Sequence, residues 1–250
     1  MDEPRVAVVT GGSSGIGAAT VRRLGAEGFF VITGARRLER IEQVASEVGG
    51  VGLELDVRDQ SSIDRFVSAV ESKSGRIDVL VNNAGLALGL TAVETTPDEF
   101  WAGMWEANVL GLLRMTRACL PLLRKAPHAH IVNLGSIAGF EVYKGGAGYT
   151  ATKHAVRAIS RTLRLELNGE PIRVTEIAPG MVETEFSTVR FGGDEKKAKE
   201  TYKGVQPLTG EDIADCIAFA VTRPPHVDID EMVIRPVAQA AAYQVARKTT

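Results

Sequence analysis

Two tyrosines and two lysines fall within residues 143–153, in the stretch YKGGAGYTATK. Only one pair has the spacing for joint chemistry. Tyr149 and Lys153 stand four residues apart near the start of an expected helix. Both side chains therefore leave one face, with Cβ atoms about 6 Å apart. A phenol titrates near 10, and lowering it by three units takes about 4 kcal/mol of preferential stabilisation of the anion. A neighbouring ammonium supplies part of that. Tyr143 has no such partner by spacing, because Lys144 is adjacent and faces elsewhere and position 147 is alanine. Ser136 precedes Tyr149 by thirteen residues, at the carboxyl end of an apolar run, where its hydroxyl can reach the same cleft. A hydroxyl, a phenol and an ammonium on one point suit proton exchange with an alcohol or carbonyl oxygen. Tyr143, on the loop between, is expected to line the substrate pocket; ordinary packing is its alternative.

Positioning these groups requires a sheet with helical connections. Short β-branched or apolar runs at 5–10, 29–33, 51–55, 78–82, 129–135, 172–177 and 232–235 read as strands. Helical periodicity fills 16–26, 38–48, 61–73, 97–124, 147–168 and 212–222. Strict alternation of this kind predicts an α/β fold: a doubly wound, seven-stranded parallel sheet of the Rossmann type with helices on both faces. Residues 1–250 form one domain in this reading, which their 44% hydrophobic content can supply with a core. The connection at 182–210 breaks the alternation with mixed polarity. It follows the sixth strand, at the edge where such sheets bind ligands, and reads as a substrate lid.

TGGSSGIG at 10–17 ends the first strand and opens the first helix. Gly11 permits the tight turn, Gly15 close approach of a pyrophosphate and Gly17 close packing of the helix, whose N-terminus favours the anion. A purely structural strand-to-helix bend is the alternative. The second strand ends Thr33-Gly34-Ala35-Arg36-Arg37, with no acid for ribose hydroxyls. Arg36 is placed to meet a 2′-phosphate, with Arg37 beside it, so NADP is expected over NAD. Two exposed arginines opening a helix are the alternative. Asp56, ending the third strand, can accept from an adenine amino group or act as a turn residue.

Taken in order, TGGSSGIG (10–17), NNAG (82–85), Asn108, Ser136, YTATK (149–153) and PG (179–180) resemble the motif set of the short-chain dehydrogenase/reductase superfamily, over essentially the whole chain. The resemblance implies that Tyr149 exchanges the proton with the substrate oxygen and that Ser136 holds that oxygen. It gives Lys153 the nicotinamide ribose and the depression of the tyrosine pKa, and Asn108 a water that relays protons from Lys153. Ser13, Ser14, Ile16 and Val57 would join the cofactor contacts. Asn82 with Asn83, Ala84 and Gly85 would line the adenine-ribose side. Pro179, Gly180 and Val182 would shape the nicotinamide pocket, and Thr184 matches the position that binds its carboxamide. Two departures stand out: Gly135-Ser136 where many members have Ser-Ser, and Ser14 where many NADP-dependent members carry a base.

Three stretches, at 82–89, 183–204 and 226–239, resemble the NADP-dependent 3-hydroxy acid dehydrogenases, a branch acting on L-allo-threonine, serine and related acids, or on semialdehydes in reverse. In the lid, Arg190 is the candidate to grip a substrate carboxylate, against a lid-to-body salt bridge. Two other functions stay open. One is an NADPH-dependent reductase of a specialised biosynthetic aldehyde or ketone; the other is a non-catalytic NADP(H) sensor, which has no need of the Tyr149 and Lys153 pair.

A formal charge of −2 with interspersed signs argues against nucleic acid or membrane-surface partners, and Lys196, Lys197 and Lys199 read as a solvated helix face. No apolar run is long enough to span a membrane and the short acidic start is unlike a secretory signal, so a cytoplasmic protein is expected. Cys119 and Cys216 read as buried free thiols, His128 and His130 as solvated residues at a strand entrance, and no metal site is expected. Apolar residues around the expected 97–124 helix, including Trp101, Trp105, Leu112, Met115, Cys119 and Leu123, exceed one buried stripe. With Ala151, Ala155 and Ala158 on the next helix and the apolar tail at 237–244, they suggest a homodimer or homotetramer.

Overall fold

β-Branched runs become strands where both faces of the pleat can be covered by apolar side chains. In the computed structural model, which describes residues 3–248, seven do so. They are β1 (Val6–Thr10), β2 (Phe30–Ala35), β3 (Val51–Glu54), β4 (Val79–Asn82), β5 (Ala129–Leu134), β6 (Ile172–Pro179) and β7 (Glu231–Ile234). All pair in parallel, in the order β3-β2-β1-β4-β5-β6-β7. The expected doubly wound sheet is therefore present. The acidic start at Met1 and Asp2 lies outside the described residues.

The connecting helices are α1 (Gly15–Ala26), α2 (Leu38–Ser46), α3 (Gln60–Ser74), α4 (Asp98–Trp105), α5 (Gly111–Leu123), α6 (Ala147–Glu166), α7 (Glu185–Arg190), α8 (Glu195–Glu200) and α9 (Gly210–Val221). β1 shows how the layers form: Val6 and Val8 enter a core with side chains of α3, α5 and α6, while Ala7 and Val9 enter one with α1 and α9. Each buried Val, Leu or Ile contributes about 2 kcal/mol. Strand order reverses between β1 and β4, which opens a crevice at their carboxyl ends.

Four expectations are corrected. The single helix at 97–124 is α4 and α5 joined by a π-helical turn, Glu106–Leu110, in which the Gly111 amide bonds to the Glu106 carbonyl. Leu112, Met115, Cys119 and Leu123 are absorbed by the core, leaving Trp105 exposed on that helix pair. The tail holds a hairpin beyond the expected strands, β8 (Gln239–Ala241) and β9 (Gln244–Val245), with Val237 and Tyr243 exposed. Polar anchors hold it: Gln239 Oε1 accepts from the Met181 amide at 2.8 Å, and Glu141 accepts from the Ala242 amide at 2.6 Å. Cys216 is only half-buried, although Cys119 is enclosed and both are free.

His130 is the fourth correction. His128 is exposed, but His130 is 1% exposed, with Nε2 2.7 Å from Thr175 Oγ1. Burial, then Arg173, pushes its pKa down to about 3. The unfolded chain takes up this proton near pH 6.5 and the native chain does not, so the stability it contributes is present above that pH and lost as pH falls towards 3. Unfolding free energy should therefore drop by about 1 kcal/mol between pH 6.5 and 5.5 on this account. Urea titrations of wild type and His130→Asn check it; equal pH slopes in both would remove His130 as the cause. Among the described residues, no helix is long and apolar enough to cross a membrane, and no group of His, Cys, Asp and Glu could hold a metal ion.

Candidate active site

The carboxyl ends of the central strands open into a cleft of about 720 Å³, walled on its far side by residues of α7 and the hairpin. At the β1 end, Gly17 has no room for a side chain: a Cβ would stand 2.3 Å from the Gly11 carbonyl oxygen. Gly15 has φ +53 and opens α1, where an added Cβ would press on Thr184 at 3.0 Å. Ser14 caps α1 without a side-chain bond, so the first-turn amides keep their capacity to bind an anion. Thr10 Oγ1 accepts from the Asn83 and Ala84 amides at 3.0 Å, fixing the loop after β4 against β1. These features make a cradle that backbone, rather than side chains, lines closely, as a bound pyrophosphate requires.

The two arginines after β2 differ. Arg37 Nη2 donates to Ser13 Oγ and Ser14 Oγ, both at 2.9 Å, and its Nη1 donates to Glu185 of α7 at 2.8 Å. Arg40 holds the other Glu185 oxygen at 2.8 Å. Arg36 lines the cleft, is exposed and has no ion pair among the described residues. Asp56 lines the cleft and also holds a turn: it accepts the Arg58 amide at 3.0 Å and a guanidinium fork at 3.0 and 2.6 Å. That fork holds its carboxyl below the usual range, ahead of the opposing effect of burial.

At the β5 end, Ser136 accepts from the Ala138 amide at 3.1 Å and donates to the Pro179 carbonyl at 3.3 Å, fixing its hydroxyl at the strand terminus. Tyr149 lies in the first turn of α6, and Lys153 Nζ is 5.8 Å from its ring centroid. The ammonium donates to the Leu134 carbonyl at 2.6 Å, and burial pushes its pKa down to about 8, against the charge of Glu176. Burial raises the Tyr149 phenol, while Arg190 and a hydrogen bond with Ser136 pull the other way. Without further cations this tyrosine holds its proton.

Arg190 closes the cleft above them. Its guanidinium carbon lies 5.0 Å from the Tyr149 ring centre and 5.1 Å from that of Phe186, and Nη2 donates to Tyr143 Oη at 3.2 Å. Phe186 meets Tyr149 edge-on at 5.4 Å. Tyr143 thus has a cationic partner that sequence spacing did not reveal, 47 positions away.

The residues nominated from the sequence for cofactor or substrate line this cleft, including Ile16, Val57, Gly85, Gly180 and Val182, except Asn82, which is buried and bonded to Thr116 and Asn133. Asn108 does not line it either. Buried in the π-helical turn, it accepts the Leu86 amide at 2.8 Å and donates to the Leu86 carbonyl at 2.8 Å and Thr152 Oγ1 at 3.0 Å. It clamps the loop after β4 to the turn of α6 that carries Lys153. Sequence reading missed Glu185 and Phe186 of the 182–210 segment, Gln239 and Tyr243 of the tail, and Glu176. Only Glu176 carried a signal, an acid inside the apolar run IRVTEIAP.

Comparison with known proteins agrees with this geometry. A family model described as short chain dehydrogenase matches residues 5–193. An uncharacterized oxidoreductase of Mycobacterium tuberculosis is 54% identical over 242 residues, which cover 97% of this chain and 95% of that protein. The NADP-dependent 3-hydroxy acid dehydrogenase of Escherichia coli is 42% identical over 240 residues, 95% of this chain and 97% of the relative. A solved serine dehydrogenase, in a closed form complexed with NADP+, superposes with a TM-score of 0.92 at 40% identity, covering 98% of this chain and 100% of that one.

Proposed function

Because this chain belongs to the short chain dehydrogenase family, we propose that it is an NADP-dependent oxidoreductase that interconverts a small 3-hydroxy acid, such as L-allo-threonine or serine, and the corresponding carbonyl. The glycine cradle, the free Arg36 and a cleft of about 720 Å³ fit a phosphorylated dinucleotide. Gly11, Gly15, Gly17, Asn83 to Gly85 and Pro179 to Thr184 would hold it, with Arg36 towards the 2′-phosphate. When bound, the nicotinamide supplies the hydride acceptor for the alcohol, or the donor for the carbonyl.

The chain's own residues handle the proton. In oxidation, Tyr149 Oη takes the hydroxyl proton as the carbinol carbon loses hydride; in reduction it returns the proton to the oxygen. Ser136 Oγ holds that oxygen, and the Lys153 ammonium favours the tyrosine anion. Asn108 keeps the Lys153 turn in place, and because its side chain is engaged, only its main chain would be left to anchor a water that relays protons from Lys153. Residues 182–210 act as a lid on one domain, with Phe186 shielding Tyr149 from water.

The observation that carries the substrate class is Arg190, 5.0 Å from the Tyr149 ring and bonded to Tyr143. A carboxylate two bonds from the reacting carbinol carbon reaches this guanidinium while its hydroxyl meets Tyr149. Steady-state rates with NADP and NAD over a panel of 3-hydroxy acids and bulky aldehydes test the reading; turnover confined to the aldehydes would favour the biosynthetic reductase. Arg190→Met should raise KM for carboxylate substrates about tenfold, the net worth of one charge-assisted pair. An equal rise for an uncharged carbonyl substrate would instead assign Arg190 to lid packing. A homodimer or homotetramer is proposed from the exposed small-residue face of α6 at Ala151 and Ala158 with Trp105, and light scattering decides it.

A further inference from the structure

Behind Lys153 lies a carboxylate that the chemistry above leaves unused. The sheet register sets Asn82, Asn133, Glu176 and Glu231 side by side on β4, β5, β6 and β7. The asparagines are bonded: Asn82 Nδ2 donates to Asn133 Oδ1 at 2.9 Å, and Asn133 Nδ2 donates to Ser160 Oγ at 2.9 Å. Glu176 differs. It is 0% exposed, and neither carboxylate oxygen has a hydrogen-bond partner among the described residues. A buried carboxylate in that state is expensive unless charge nearby compensates it.

Gly135 makes the room. A Cβ there would stand 2.1 Å from Glu176 Oε1, so the glycine beside Ser136 and the acid on the neighbouring strand fit one another. The charged groups facing Glu176 are Lys153, Arg157 and Arg161 from α6 and Glu231 from β7. Arg157 and Arg161 are drawn to Glu231, at 3.3 and 2.9 Å. Lys153 has a carbonyl, not a carboxylate, as its hydrogen-bond partner. It is therefore the cation whose charge depends most on Glu176.

We propose that Glu176 is a positioning residue for the reaction, whose enclosed carboxylate keeps Lys153 cationic and thereby keeps Tyr149 able to accept the substrate proton. This rests on the reading of Tyr149 and Lys153 as the proton-exchanging pair. The electrostatics run in the required direction. Burial pushes Lys153 down to about 8 and Glu176 opposes the fall. Burial and Glu231 push Glu176 up to about 7, and Lys153 leads the cations that resist. Above pH 7 Glu176 is mainly charged, and removing that charge neutralises Lys153 at a lower pH. Tyr149 then loses its cation and ionises at a higher pH.

The experiment is the pH profile of kcat/KM for alcohol oxidation in Glu176→Gln and Glu176→Asp. In Glu176→Gln the acid limb should move up by about one unit, lowering kcat/KM at pH 8 about tenfold, with the difference closing at higher pH. Substrate KM should change little, and Glu176→Asp should restore the wild-type limb. A constant loss at every pH, with the limb unmoved, would mean a merely structural role and overturn the proposal. A second measurement needs neither turnover nor cofactor. In the cofactor-free protein the infrared band of the buried carboxylic acid should titrate near pH 7, and Lys153→Met should move that titration upward. A titration indifferent to Lys153 also overturns it. Activity retained in Tyr149→Phe would remove the underlying pair; an inactive Tyr149→Phe beside an unmoved Glu176→Gln limb would remove only the role of Glu176.

Discussion

Tyr149→Phe is expected to lower kcat about a thousandfold in both directions while leaving NADPH affinity within about threefold of wild type. The change deletes one oxygen from the first turn of α6 and leaves the ring's edge contact with Phe186 and its place under Arg190 intact. Binding groups are untouched, so KM should move little. The other phenol in the cleft, Tyr143, is a weaker substitute: burial raises its pKa, and its cation, Arg190, is the one assigned to the substrate carboxylate. Single-turnover rates and a fluorescence titration with NADPH separate chemistry from binding. Undiminished kcat with normal NADPH binding would end the proposed mechanism; loss of both would point to a collapsed site.

Arg36→Gln is expected to raise KM for NADP about a hundredfold and to change KM for NAD by less than about threefold. A guanidinium fork on a phosphate is worth about 2–3 kcal/mol, since hydrogen bonds to charged groups are stronger than neutral ones. The neighbouring Arg37 is a weaker substitute because Ser13, Ser14 and Glu185 already occupy its donors. Affinities for 2′,5′-ADP and 5′-AMP give the same comparison without turnover. A large effect of Arg37→Gln and a small one of Arg36→Gln would exchange their roles.

The sheet was legible because its strands are short and apolar on both faces, so runs such as VAVVT declare themselves without knowledge of their neighbours. The cleft was legible wherever its residues follow a strand directly or share one helical face, as Tyr149 and Lys153 do. What escaped depends on contacts far apart in sequence. The π-helical turn answers to the hydrogen bonds of Asn108 with Leu86 and Thr152, which no local propensity encodes. The hairpin is fixed by Gln239 and Glu141 to distant loops, so its apolar composition gave no sign of it. His130 looked solvated because its burial is decided by Thr175 across the sheet. The Arg190 bond to Tyr143 likewise exists only once 182–210 has folded over the strand ends.

The central pairing of β1 with β4 has a kinetic side. At the amino ends of these two strands, Val6 and Asp78 are bonded at 2.7 Å although 72 positions separate them. Closing a loop of that size costs chain entropy before any contact repays it, which makes this one of the slower steps open to a parallel sheet. The strand-order reversal that creates the binding crevice is the same event as joining the first three sheet strands to the rest. Folding therefore cannot finish the nucleotide cradle early and add the remainder afterwards: a chain that has not yet joined its two halves has, in that respect, no binding site to protect it.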